Sequence, residues 1–176
     1  MKQSFTLIFI FSSMFGFSQN DSPTKLKNFA QNGYKLQYPS SWTVDTSKRM
    51  GPEFFIFSPR ENDTDRFQEN VNLLVQDLTG QNIDLDKYAK ITEEQIKELA
   101  IEGTIYESKK IFKPGKSDYY KMVYGMTQDV FKLKIEQYYF IKNDKAFIMT
   151  FTAELNKFDS FLPAGEQILN SFVLTR

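Results

Sequence analysis

The chain has 176 residues, and its 22 basic side chains balance its 22 acidic ones, so the formal net charge is zero. It contains neither Cys nor His. These absences exclude a Ser-His-Asp triad, a thiol nucleophile, a disulfide and any metal site with imidazole or thiolate ligands. The balanced charge also argues against a nucleic-acid binder, because such a protein carries a strong basic excess.

Residues 1–18 have the three regions of a secretory signal peptide. Lys2 supplies the positive charge, an apolar stretch begins at Phe5, and small residues lead to Ser18, after which we expect cleavage. A retained membrane anchor is the alternative, but the apolar stretch is too short to cross about 30 Å of hydrocarbon, and no Cys follows it to accept a lipid. We therefore predict an exported protein, periplasmic or secreted and without a membrane anchor, whose single mature domain spans residues 19–176.

The first half of the mature chain predicts short strands joined by turns. Asn32-Gly33 is a hairpin signal between residues 25–30 and an alternating strand at 34–38. Residues 54–57 form an apolar run without alternation, which is typical of a strand covered on both faces. Two further strands are predicted at 42–44 and 71–75, with a polar loop at 59–70.

Two helices are predicted from the spacing of apolar residues. Between Asp84 and Ile101 these residues recur with a helical period, and Asp84 is suited to the N-cap. The apolar residues from Phe158 to Phe172 have the same period. We place Pro163 in the first turn of this second helix, where proline is tolerated.

Four longer strands lie between the two helices. Because the links between them contain only a few residues, neighbouring strands must be antiparallel. The sequence therefore predicts an α+β fold in which a mostly antiparallel sheet is sandwiched between helices. The four predicted strands are 104–113, 119–127, 131–141 and 145–153.

The order of these elements resembles a known family. The run from Tyr34 to Val44, in which an amphipathic strand ends in a Pro-x-x-Trp turn at Pro39 to Trp42, is similar to the opening of PsbP-like domains. The later helix, the hairpin series and the terminal run at 168–172 are similar in the same order. This family includes PsbP, Mog and DcrB-type exported proteins. The resemblance implies an antiparallel sheet between helices and an accessory or binding role, with no shared catalytic residues to transfer.

Some residues are candidates for a functional site, and each has a structural alternative. Trp42 is either a stacking platform for a ligand or, as we expect, a core anchor at a strand start. Asp63 and Asp65 suggest calcium ligands, but residues 61–69 contain no Gly for the sharp turn of a calcium loop, so we expect an ordinary solvated loop. Residues 62–64 also match the N-glycosylation sequon.

A basic cluster and a group of tyrosines are the other candidates. Given the neutral total charge, we interpret the lysines as hydrated strand ends rather than as a nucleic-acid patch. The tyrosines suit a protein interface or the rim of a sheet core, and we favour the core. The lysines are Lys109, Lys110, Lys113 and Lys116, with Lys132 and Lys134 interpreted in the same way, and the tyrosines are Tyr119, Tyr120, Tyr124, Tyr138 and Tyr139.

The missing catalytic residue types favour a non-enzymatic accessory or binding module. We predict that it binds a protein partner in the cell envelope, and we assign no catalytic, cofactor-binding or metal-binding residue and no cofactor. The first alternative is a carrier of a small apolar or lipid-like ligand in a pocket between sheet and helix. The second is a hydrolase that uses two converging carboxylates. The contact residues and the oligomeric state are left open.

The composition makes one prediction about stability. Because the chain has no Cys and we assign it no structural metal, the thermal midpoint of the mature domain should be the same with and without reductant, and with and without EDTA. Circular dichroism during heating measures this midpoint. A lower midpoint in EDTA would contradict the assignment of no metal.

Overall fold

The computed structural model describes residues 25–31, 33–99 and 104–175, and this part of the chain contains ten strands and two helices. Five strands precede the first helix, four strands connect the two helices, and a short strand follows the second helix. The strands are β1 (Leu26–Gln31), β2 (Tyr34–Pro39), β3 (Thr43–Asp45), β4 (Phe54–Phe57), β5 (Asn70–Asp77), β6 (Ile105–Ile111), β7 (Tyr119–Gln128), β8 (Phe131–Lys142), β9 (Lys145–Glu154) and β10 (Val173–Leu174). The helices are α1 (Leu85–Leu99) and α2 (Phe158–Ser171).

Seven of these strands form the main sheet, in the order β3-β4-β5-β9-β8-β7-β6, and every neighbouring pair is antiparallel. Helix α1 packs on one face of this sheet over β7 and β8, and α2 packs on the opposite face. The predicted α+β fold is therefore confirmed. Strands β1, β2 and β10 form a second, smaller antiparallel sheet, which the sequence pattern did not reveal.

Helix α2 approaches the main sheet very closely at one residue. Gly165 lies directly over Phe151 of β9, so that a Cβ atom at position 165 would lie 2.7 Å from Cγ of the Phe151 ring. Phe158, Ile168 and Leu169 of the same helix are buried on either side of this contact. Each fully buried side chain of this size stabilises the fold by about 1.5–3 kcal/mol relative to exposure. Because Gly165 has no side chain, α2 lies close enough to the sheet for its large side chains to reach the core.

The small sheet closes the same core beside α2. The ring of Tyr34 in β2 lies 5.9 Å from that of Phe54 in β4 and 5.8 Å from that of Phe172, which follows α2. The hydroxyl of Ser171 accepts a hydrogen bond from the backbone N–H of Gln37 at 2.8 Å. Strand β2 is therefore fastened to the C-terminal end of α2 by both aromatic packing and a hydrogen bond.

Helix α1 begins where the sequence predicts. The carboxylate of Asp84 accepts a hydrogen bond from the backbone N–H of Lys87 at 2.8 Å, which is the expected N-cap. The apolar face of the helix packs on the second face of the main sheet, where the Tyr88 ring lies 5.5 Å from that of Tyr139. This arrangement gives the sheet a hydrophobic cluster on each face.

The second helix corrects a prediction. We expected Pro163 in its first turn, but α2 begins five residues earlier, at Phe158. Pro163 lies inside the helix on its exposed side, where its missing N–H leaves the carbonyl of Asp159 without the usual helical partner. Burial of Phe158, whose ring lies 5.3 Å from that of Phe151, compensates for this loss by anchoring the first turn.

Some predictions fall on residues that the structure does not describe. The predicted signal peptide at 1–18 and the predicted helix end at Ile101 lie outside the described residues. Within the described ranges, neither helix has the length and apolar character needed to cross a membrane.

The contact at Gly165 predicts a large effect of a small substitution. Gly165→Ala should destabilise the protein by about 1–3 kcal/mol, because the added methyl group forces α2 away from Phe151. Urea denaturation measures the free energy of unfolding. Gln167→Ala on the exposed side of α2 is the control and should change it by less than about 0.5 kcal/mol. Equal effects of the two substitutions would contradict the tight contact.

Candidate binding cleft

A cleft of about 330 Å³ opens to solvent where the C-terminal end of α2 meets strands β7, β8 and β10 and the turn between β6 and β7. The turn places Gly115 at φ +73°, a left-handed conformation that glycine adopts without steric cost. The floor of the cleft is aromatic and its rim is polar. The floor consists of Tyr119, Tyr138, Phe140 and Phe172, and the rim includes Lys113, Lys116 and Asn170.

The floor is a continuous row of packed rings. The centroid of Tyr119 lies 4.4 Å from that of Tyr138 and 5.3 Å from that of Phe140, which lies 5.3 Å from Phe172. All four side chains are buried. Burial raises the pKa of both tyrosine hydroxyls, so they remain protonated and neutral over the ordinary pH range.

The rim is positively charged. Nζ of Lys113 lies 4.9 Å from the centroid of the Tyr119 ring and 3.3 Å from Oδ1 of Asn170. Burial and the neighbouring Lys116 lower the pKa of Lys113. The nearest acid of the turn, Asp118, accepts the backbone N–H of Lys113 at 3.3 Å. Neither lysine forms an ion pair with any described carboxylate.

A partly buried charge cluster lies beside the floor, beneath α2. Nζ of Lys121 in β7 lies 3.1 Å from a carboxylate oxygen of Glu136 in β8 and 3.1 Å from one of Glu166 in α2. Glu107 of β6 contacts the same ammonium group at 3.7 Å. One lysine thus connects three strands of the main sheet to the helix that covers them, and it fixes the position of α2 along the floor.

The buried carboxylate of Glu136 has only part of the charge pairing and hydrogen bonding that it needs. Its side chain is 2% exposed, and while one oxygen contacts Lys121, the other (Oε1) has no hydrogen-bond partner among the described residues. Burial raises the pKa of Glu136, and the attraction of Lys121 offsets only part of this effect. A buried charge with an unmet hydrogen bond lowers stability, so this group weakens the fold at neutral pH.

The polar loop before β5 corrects the prediction of a solvated loop. Asp63 is exposed as expected, but Asp65 is buried and accepts hydrogen bonds from the backbone N–H groups of Glu61 at 3.1 Å and Phe67 at 3.3 Å. The Glu61 N–H makes the largest contribution to a lowered pKa of Asp65, and nearby Lys157 at 3.5 Å adds to it. Within the described residues, no group of three acidic side chains has a geometry that could hold a metal ion.

The aromatic candidates from the sequence are core residues. Trp42 is buried, and its ring lies 6.5 Å from that of Phe161 in α2, so its expected role as a core anchor is confirmed. Tyr119 and Tyr138 are also buried but form part of the cleft floor as well. Of the remaining tyrosines, Tyr120 is half-buried, and Tyr124 and Tyr139 are buried on the opposite face of the sheet.

The lysine candidates separate into different environments. Lys109 and Lys110 pair with Glu107 and Asp86, respectively, as ordinary strand-surface charges. The other two candidates of this run, Lys113 and Lys116, form the cleft rim, which the interpretation as a hydrated strand end missed. A basic turn directly before a pair of tyrosines is the signal that could have distinguished them. Lys134 also differs from the expectation, because its Nζ lies 4.4 Å from the centroid of the Phe158 ring.

Solved structures with this fold include LpqN of Mycobacterium tuberculosis, which is described as involved in cell envelope biogenesis. It aligns with a TM-score of 0.64 over 86% of this chain and 92% of its own, at 12% sequence identity. CyanoP, the cyanobacterial PsbP of Synechocystis, aligns with a TM-score of 0.59 over 91% of this chain and 98% of its own, at 13% identity. PA94 of Pseudomonas aeruginosa, a protein of unknown function, has a TM-score of 0.57 over 81% and 92%, at 12% identity.

The chain therefore has the PsbP-like fold, and the resemblance inferred from its sequence is confirmed at the level of fold. No protein-family model matches the chain, and no curated protein matches its sequence. Because one fold supports many functions, the side chains of the cleft must carry the functional argument.

Glu136 generates a prediction about pH. Its raised pKa means that the folded protein holds this proton more tightly than the unfolded chain does. Its contribution to stability is therefore greatest below its ordinary pKa of 4.5 and declines as the pH rises through the folded-state pKa. Gln cannot ionise. The thermal midpoint of the Glu136→Gln variant should therefore rise, relative to that of the unchanged protein, as the pH rises.

Thermal midpoints at about pH 4.5 and about pH 7.5 test this prediction, since they lie at and above the ordinary pKa of the carboxyl group. Glu94→Gln on the exposed side of α1 makes the same chemical change without burial and serves as the control. The same difference between variant and unchanged protein at both pH values would contradict the role assigned to Glu136.

Proposed function

We propose that this chain is an exported, non-enzymatic accessory module that binds a protein partner through the cleft at the end of α2. The observation that carries the proposal is the combination of an aromatic floor with two lysines that have no described carboxylate partner. Protein interfaces commonly combine an aromatic centre with a polar or charged rim. The cleft has this composition on a small scale.

The shape of the cleft supports a protein partner rather than an enclosed ligand. The floor rings pack against one another and are anchored in the main core, so the cleft is a preformed surface feature rather than an internal cavity. A partner that inserts one or two side chains needs no opening of the fold. The description of LpqN as involved in cell envelope biogenesis is consistent with an accessory role, although it concerns that protein.

A carrier of a small ligand is the second candidate function. Its support is the volume of the cleft, about 330 Å³, which falls at the low end of the usual range for small-molecule sites, about 300–1,000 Å³. Such sites bury most of the surface of their ligand. The charged, open rim makes the cleft less suited to a wholly apolar or lipid-like molecule than to a partner that brings its own charge.

The hydrolase alternative has weaker support. Glu136 and Glu166 are the acids that converge beneath α2, but the ammonium group of Lys121 contacts both of them. Neither glutamate lines the cleft. A carboxylate pair for glycoside hydrolysis must face the substrate, and this pair instead fixes α2 on the sheet.

Site-specific crosslinking in the envelope of the native host tests the proposal. A photoreactive benzoylphenylalanine at the exposed rim position Ser117 should crosslink the full chain to a discrete protein partner. The same group at exposed Gln81, which lies in the link before α1 and outside the cleft, is the control and should give no such product. Equal products from both positions, or none from Ser117, would contradict a partner at the cleft.

A further inference from the structure

The cleft borders the free edge of a strand as well as a charged rim. Strand β10 is the outermost strand of the small sheet, since among the described strands it pairs only with β2. Both of its residues, Val173 and Leu174, line the cleft. The backbone N–H of Thr175 donates to the carbonyl of Gly33 at 2.7 Å, on the side of β2. Because backbone groups alternate in direction along a strand, those of Leu174 point away from β2.

We propose that the cleft binds an extended, acidic segment of the partner protein, which adds a short strand to β10 and places a carboxylate between Lys113 and Lys116. This inference rests on the proposed function and specifies the chemistry of the partner. Addition of a strand to an exposed sheet edge is a common mode of peptide recognition, in which main-chain hydrogen bonds supply affinity and side-chain contacts supply specificity.

The charges at the rim favour an acidic segment. Asn170 and the Tyr119 ring hold the ammonium group of Lys113 beside the cleft, and they do so without neutralising it. Burial and, second to it, the neighbouring Lys116 disfavour the positive charge of Lys113, and a carboxylate placed between the two lysines stabilises that charge. The charge of the rim therefore favours an anion over a cation or a neutral group.

The floor and the period of a strand define the rest of the segment. Alternate side chains of an added strand point to the same side, so an apolar residue two positions from the carboxylate can reach the rings of Phe140 and Phe172. These rings lie 5.3 Å apart at the end of the floor next to β10. The preferred segment thus carries an acidic and an apolar residue two positions apart, in an extended conformation.

Binding of synthetic peptides to the mature protein tests this inference by fluorescence anisotropy. The probe is a labelled peptide of sequence Gly-Glu-Thr-Phe-Thr-Glu-Gly, in which the Phe lies two positions from each Glu, and the matched probe has Gln in place of each Glu. The acidic probe should bind more tightly than the Gln probe, and its affinity should fall as the salt concentration rises. Methylation of its backbone N–H groups should weaken binding, because it removes the donors needed for pairing with β10.

Two double variants separate the rim from general charge. Lys113→Gln with Lys116→Gln should weaken binding of the acidic probe by about 2- to 20-fold, the range expected for two partly exposed ion pairs. The control, Lys87→Gln with Lys132→Gln, makes the same change in net charge at exposed positions outside the cleft and should leave binding unchanged. Equal weakening by the two double variants, or equal binding of the Glu and Gln probes, would overturn the inference.

The remaining outcomes distinguish this inference from the proposed function. If phenylacetate, a small carboxylate with an aromatic ring, displaces the acidic probe at a concentration close to that of the unlabelled peptide, the strand edge contributes nothing and the inference fails. If Ser117 crosslinks to a partner but the Lys113 and Lys116 double variant crosslinks equally well, the proposed function stands and the acidic segment is wrong. If Ser117 gives no crosslink, the proposed function fails, whatever the peptides show.

Discussion

The close contact between Gly165 and the Phe151 ring determines where helix α2 lies, and the rest of that face of the sheet depends on it. With the helix seated at this depth, Ile168 and Leu169 fill the core, and Glu166 reaches the partly buried Lys121. The helix ends at Ser171, and beyond this end the floor of the cleft is open to solvent. The cleft is therefore a consequence of helix position and length, because a helix placed further from the sheet would separate its end from the aromatic floor.

Two opposing effects meet beneath this helix. Apolar burial favours the seated position, whereas the incompletely compensated carboxylate of Glu136 disfavours it. A purely apolar interface allows a helix to slide along its contact, since hydrophobic burial is not directional. The contacts of Lys121 with Glu136 and Glu166 are directional and favour one position of α2 along the sheet. The charge cluster thus costs stability but specifies geometry, as buried polar groups do in some other proteins.

Local patterns predicted most of the fold, because strand alternation, hairpin turns and the N-cap at Asp84 depend on residues close in sequence. The candidate site depends on contacts between residues that are far apart in sequence, so local patterns could not predict it. Lys113 contacts Asn170, 57 positions away, and Asp65 is buried against Lys157, 92 positions away. Each of these residues is of a type that is usually exposed to solvent, and its neighbours in sequence do not indicate the distant contact. Pro163 shows the same limit, since tertiary burial of Phe158 extends the helix beyond the boundary that local propensity predicts.

The side chains of the cleft, rather than the fold, carry the information about a partner. Proteins that share this fold at 12–13% identity retain its architecture while nearly all side chains differ, so the architecture alone says little about the partner. In this chain a lysine-bearing turn, a tyrosine floor and the edge of strand β10 lie together at one end of the sheet. None of these groups requires Cys or His, the two residue types that the chain lacks. Recognition by charge, ring surface and backbone hydrogen bonds is therefore fully available to a sequence from which much familiar catalytic chemistry is excluded.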